Sequence, residues 1–169
     1  MSKKVTWVLL LAGLIALYFG YVSTKNQELT SANFPKQVGG YERVNLREDA
    51  ETKQASGTFL GVKEKIKKTF MSNFKAPGAV VTLFVLIPED KTKEVLVAQQ
   101  LAENMAKQNG MFSNFTTLSL YGGKPIVNFS GPMDKMQNYV FYKNGKIFWM
   151  EVLTQGDARK TLDVFYNQF

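Results

Sequence analysis

The hydrophobic pattern begins with one long apolar run. Residues Val5–Val22 contain no charged side chain over eighteen positions. A helix of that length rises roughly 27 Å, about the hydrocarbon thickness of a bilayer. The pattern predicts a transmembrane anchor over residues 1–23, a linker over 24–35 and a folded domain over 36–169. A cleaved signal peptide is the competing interpretation, although the run is longer than the usual signal core of about 7–15 residues.

After the linker, apolar and polar positions follow the pattern of short strands. The run Ala79–Ile87 is apolar on both faces and predicts a central, buried strand. Two later pairs of strands are predicted to form hairpins, one turning at Gly122-Gly123 and the other at Asn144-Gly145. Asn-Gly is the pair best suited to a type I′ turn, because both central residues of that turn have positive φ.

Two segments have helical spacing instead. The first runs from a cap at Asp90 or Thr92 to about Gln108, with Val97, Leu101 and Met105 on one side. The second follows Gly156-Asp157 and directs three apolar side chains to the core, namely Leu162, Phe165 and Phe169. The predicted fold is therefore α+β: an N-terminal transmembrane helix, then one mainly antiparallel sheet with two packed helices.

The charges that flank the apolar run predict its orientation. Lys3 and Lys4 precede it, whereas the residues that follow are nearly neutral, so the N-terminus is expected in the cytoplasm and the domain outside it. The expected location is an inner or plasma membrane, with a periplasmic domain. Small residues on one side of the run predict contact with another membrane helix; these are Ala12, Gly13, Ala16 and Gly20.

The amino-acid composition limits which partners, catalytic groups and metal ligands the chain can have. The chain has a net charge of +7 but no Arg/Lys stripe with interleaved aromatic residues, which argues against nucleic acid as a partner. It contains neither histidine nor cysteine, so the usual catalytic triads and thiolate or imidazole metal sites are excluded. Pairs of acids such as Glu89/Asp90 and Asp157/Asp163 lie where turns and helix caps favour them. We therefore predict no catalytic, cofactor or metal site, and no enzyme activity.

One short apolar segment is a candidate for contact with a partner. Met111, Phe112 and Phe115 follow the predicted end of the first helix. They either cover the core or form an exposed apolar patch for another protein.

The last third of the chain carries a family resemblance. It runs from Lys124-Pro-Ile-Val-Asn-Phe through Asn144-Gly-Lys-Ile-Phe-Trp-Met-Glu-Val to Leu162-Asp-Val-Phe-Tyr-Asn-Gln-Phe169. This stretch resembles the closing strands and C-terminal helix of the PsbP/DcrB/Mog1-like α+β family. The resemblance implies a non-catalytic, accessory or assembly role beside a larger membrane complex. The segment Phe34-Pro-Lys-Gln-Val-Gly-Gly-Tyr41 is similar to exosortase-associated exopolysaccharide proteins, but their cysteine motif is absent here.

Two functional hypotheses follow. The first is a membrane-anchored accessory subunit or assembly factor whose partners are other integral membrane subunits. The second is an anchored extracytoplasmic binding protein for a small or lipidic ligand or an envelope polymer. Co-purification with integral subunits would favour the first hypothesis.

Overall fold

A computed structural model describes residues 28–48, 61–108, 111–120 and 123–169. The chain divides into two units, Met1–Phe34 and Pro35–Phe169. In the described end of the first unit, Asn33 organises a turn. Its side-chain oxygen accepts a hydrogen bond from the Thr30 N–H at 2.7 Å, and its amide donates to the carbonyl of Glu28 at 2.8 Å.

The second unit contains one antiparallel sheet and two α-helices among its described residues. The strands are β1 (Gln37–Val38), β2 (Tyr41–Arg43), β3 (Ile66–Ala76), β4 (Ala79–Pro88), β5 (Ser113–Leu120), β6 (Lys124–Ser130), β7 (Met136–Lys143) and β8 (Lys146–Thr154). The helices are α1 (Glu94–Ala106), preceded by a 3-10 turn at Lys91–Lys93, and α2 (Ala158–Gln168).

The strands lie in the order β1-β2-β3-β4-β8-β7-β6-β5, and every neighbouring pair is antiparallel. The chain builds one half of the sheet as far as β4, crosses over through α1 to the far edge at β5, and returns to the centre at β8. The prediction of an α+β domain with a mainly antiparallel sheet is confirmed. The predicted central strand, now β4, lies between β3 and β8 as expected.

Two hairpin turns follow their local sequence. Ala76 pairs with Ala79 around Pro77-Gly78, and Gly78 has a φ of +72°. At the β7–β8 turn, Asn144 and Gly145 have φ values of +55° and +72°, the two positive angles of the predicted type I′ turn. The β5–β6 turn differs from the prediction, because Leu120 pairs with Lys124 and the connection therefore has three residues. The first two of those three lie outside the described residues.

The two helices pack on opposite faces of the sheet. On the first face, Val97, Leu101 and Met105 of α1 belong to a buried cluster with Ile147 and Trp149 of β8. On the second face, Phe165 of α2 meets Phe74 of β3 edge-on, with ring centres 5.2 Å apart. Trp149 and Phe148 are consecutive in β8 and point to opposite sides, and Phe148 contacts the C-terminal Phe169. Both faces therefore carry apolar side chains.

The predicted fold class is wrong in its membrane-spanning part. In the part of the chain that the structure describes, no helix is long and apolar enough to cross a membrane. A span needs about 20 consecutive apolar residues. The helix α1 has 13 residues and α2 has 11, and only some of the residues in each helix are buried. The predicted span Val5–Val22 lies outside the described residues.

Candidate binding surface

A row of polar side chains crosses the sheet on the face that carries α1. Register places Asn73 opposite Thr82, Thr82 opposite Glu151, and Glu151 opposite Asn138. These four residues, on β3, β4, β8 and β7, form the polar row. Directly opposite residues of antiparallel strands share a face, so the row is continuous.

Two hydrogen bonds involve members of the polar row. The Thr82 side chain hydrogen-bonds to Glu151. The indole N–H of Trp149 donates to the side-chain oxygen of the fully buried Asn138 at 3.0 Å. The other side-chain atom of Asn138, Nδ2, has no hydrogen-bond partner among the described residues. Buried hydrogen bonds hold side chains in fixed positions. The bonds of Thr82 to Glu151 and of Trp149 to Asn138 therefore have a structural role.

Glu151 is the acid in this row whose titration is perturbed. Burial raises the pKa of Glu151 above the ordinary value of 4.5, and the hydrogen bond from Thr82 opposes that shift. The carboxyl therefore favours its neutral form more than an exposed glutamate does. Glu151 is the one carboxylate among the four residues of the polar row.

Two of the other candidate acids, Asp90 and Asp157, serve as helix caps. Asp90 Oδ1 accepts hydrogen bonds from the backbone N–H and the hydroxyl of Thr92, at 2.9 and 2.6 Å. These bonds lower the pKa of Asp90. Asp157 accepts from the N–H of Arg159 at 2.9 Å, at the start of α2. Over the described ranges, no group of three or more acidic side chains could hold a metal ion.

The sequence-predicted partner patch is divided between core and surface. Phe115 stacks on the buried Phe129 with ring centres 4.7 Å apart, and Phe112 meets the same ring edge-on at 5.2 Å. Both phenylalanines pack against the buried cluster under α1. Met111 instead is 45% exposed. The two aromatic residues cover the core, and the methionine is available at the surface.

A second exposed methionine lies at the same end of the sheet. Met133, in the β6–β7 connection, is 51% exposed. Ser113 pairs with Ser130, so the segment before β5 and the segment after β6 emerge side by side. We call the exposed side chains of Met111 and Met133 the methionine surface. Met133 is a lone methionine in a polar loop, so no periodic pattern in the sequence distinguishes it.

An open depression of about 510 Å³ lies at this same end of the sheet. Its apolar part includes Val80 and Leu153, which are opposite each other on β4 and β8. Lys75 and Lys135 bring two positive charges to its lining. The opposite end of the sheet carries the Asn144-Gly145 turn.

The predicted helix-contact residues Ala12, Gly13, Ala16 and Gly20 lie outside the described residues. Comparison with known proteins adds no family, since no protein-family model and no curated protein matches the chain.

Proposed function

We propose that this chain is a non-catalytic accessory subunit or assembly factor that binds a larger membrane complex through the methionine surface. The observation that supports the proposal is the exposure of Met111 and Met133 at one end of the sheet. Methionine is flexible and polarisable, so it adapts to irregular protein surfaces and recurs at binding sites. Phe112 and Phe115, which follow Met111 in the chain, pack against the core.

Several of the polar side chains considered as candidates have structural contacts. Asp90 and Asp157 cap helices, and Asn138 accepts a hydrogen bond from Trp149 within the sheet. These contacts help to hold the fold together.

The proposed location is at a membrane, with the domain outside the cytoplasm. Its support comes from the sequence, in which Lys3 and Lys4 precede the uncharged run Val5–Val22 and the residues after the run are nearly neutral. A reporter that is active only in the cytoplasm, fused after Phe169, tests the orientation. An active fusion would reject the proposed location.

Purification of the full chain from mild detergent tests the binding role. We expect integral subunits to co-purify in stoichiometric amounts with the wild type, and a double Met111→Glu/Met133→Glu variant to lose them. Leu96→Glu is the matched control, because Leu96 is 38% exposed near the start of α1, at the opposite end of the sheet. A double variant that retains the same partners would reject the methionine surface as the binding site.

The depression beside Leu153 favours one alternative function, binding of a small or lipidic ligand. Its apolar residues and the charges of Lys75 and Lys135 suit an anionic amphiphile. Mass spectrometry of the chain purified without added lipid distinguishes the two functions. A monomer carrying one anionic amphiphile, and no protein partner, would favour the alternative.

A further inference from the structure

The two edges of the sheet differ in how well they are protected. One edge is β1, which has two residues, and short edge strands offer little backbone for pairing. The other edge is β5, which has eight residues and pairs with β6 on one side only among the described strands. The outer side of β5 therefore presents backbone donors and acceptors to an added strand.

Proteins usually guard a long edge strand with charged side chains, proline or a bulge. β5 contains no charged residue and no proline, and it lies in an uncharged run of sixteen residues from Gln108 to Gly123. Its bulge lies at the beginning, between Ser113 and Thr116, where Asn114 has a φ of +55°. From Thr116 to Leu120 the pairing with β6 is regular.

This composition favours a second copy of the same chain as the added strand. The protein carries a net charge of +7, so two copies repel each other on average, and a contact surface without charged side chains adds least to that repulsion. Two paired β5 strands bring no charged side chains together, because the strand contains none. Thr116, Thr117 and Ser119 are exposed, and cross-strand Thr/Ser pairs stabilise antiparallel strands.

We propose that two copies of this chain pair through β5, antiparallel and centred on Leu118, to form one sheet across a two-fold axis. An isologous contact of this kind uses the same strand of both copies. Centring on Leu118 uses the regular half of β5 and keeps each face of one sheet continuous with the same face of the other. In this register Leu118 lies opposite its own copy, and Thr117 lies opposite Ser119 of the second copy.

Single cysteines test both the pairing and its register, because the chain has no cysteine of its own. Directly opposite residues in an antiparallel pair have Cα atoms roughly 4.5–5.5 Å apart, within the roughly 4.4–6.8 Å that a disulfide spans. The full chain is purified in mild detergent and oxidised gently. We expect Leu118→Cys to form a covalent dimer about tenfold faster than Thr117→Cys, whose own copy lies diagonally at roughly 7–8 Å.

The double variant Thr117→Cys/Ser119→Cys changes only exposed positions and gives a second answer if Leu118→Cys folds poorly. It should cross-link as fast as Leu118→Cys. Gln168 is exposed at the end of α2, so Gln168→Cys gives the rate of cross-linking that random collision alone produces. Cross-linking of the β5 variants at the rate of Gln168→Cys would overturn the proposal, as would faster cross-linking of Thr117→Cys alone. The Met111→Glu/Met133→Glu changes should leave these cross-linking rates unchanged. A failure of the strand pairing can therefore be distinguished from a failure of the proposed function.

Discussion

The carboxylate of Glu94, the first residue of α1, accepts a hydrogen bond from the backbone N–H of Gly145 at 2.6 Å. The bond joins the start of one helix to the tip of the β7–β8 hairpin. The side-chain amide of Asn144 donates to the carbonyl of Phe169 at 3.3 Å, so the same tip also contacts the end of the chain after α2. The hairpin tip is thus held by helices from both faces of the sheet.

Gly145→Val should lower the stability of the domain. Gly145 has a φ of +72°, and a β-branched residue at a positive φ costs about 1–3 kcal/mol. An added Cβ would also lie 3.0 Å from the side chain of Lys91, which can move. Thermal unfolding of the full chain should show a lower melting temperature. Gly145→Asn, which tolerates this backbone conformation, should lose less. Equal losses in both variants would mean that the backbone angle is not the cause.

Glu94→Ala should weaken the contact between α1 and the hairpin. The N–H of Gly145 loses its acceptor. Because this donor is only part-buried, the cost should lie at the low end of the about 1–3 kcal/mol that a buried unsatisfied donor costs. Glu94→Gln keeps a side-chain oxygen that can accept this bond and should lose less stability than Glu94→Ala. Urea unfolding measures the two losses, and hydrogen exchange at the Gly145 amide locates them. Unchanged exchange in Glu94→Ala would contradict the bond.

Local sequence rules predicted the hairpin tip and the buried side of α1 correctly. The Asn144-Gly145 pair determines its own turn, and Val97, Leu101 and Met105 repeat at helical spacing and are fully buried. Rules of this kind depend on residues close together in the chain, so a single sequence is enough to apply them.

The polar row could not be predicted in the same way. Thr82 and Glu151 are neighbours only because β4 pairs with β8 across the intervening helix and hairpins. That pairing depends on the register of strands far apart in the chain, which single-sequence patterns do not specify. The position of Met133 beside the segment before β5 also follows from a strand pairing, that of Ser113 with Ser130.

Asn138→Ala should destabilise the sheet through the indole of Trp149. The Trp149 N–H, which donates to Asn138 at 3.0 Å, would be left buried without its acceptor. That loss costs about 1–3 kcal/mol. Trp149→Phe removes the donor. It should therefore cost less stability when Asn138 is already alanine than it costs in the wild type. Strictly additive losses in urea unfolding would show that the two side chains are not coupled.

Glu151→Gln should flatten the dependence of stability on pH. Burial raises the pKa of Glu151 in the folded state above its ordinary value of 4.5, so the folded protein holds this proton more tightly than the unfolded chain. Stability from the neutral acid is fully present below the ordinary pKa and is lost as pH rises through the raised pKa. Glutamine stays neutral and can still bond to Thr82. As pH rises from about 4, which lies below the ordinary pKa of 4.5, the melting temperature should therefore fall less in Glu151→Gln than in wild type. Glu103→Gln, an exposed change on α1, is the control. Parallel curves for wild type and Glu151→Gln would show that the Glu151 carboxyl does not contribute to the pH dependence.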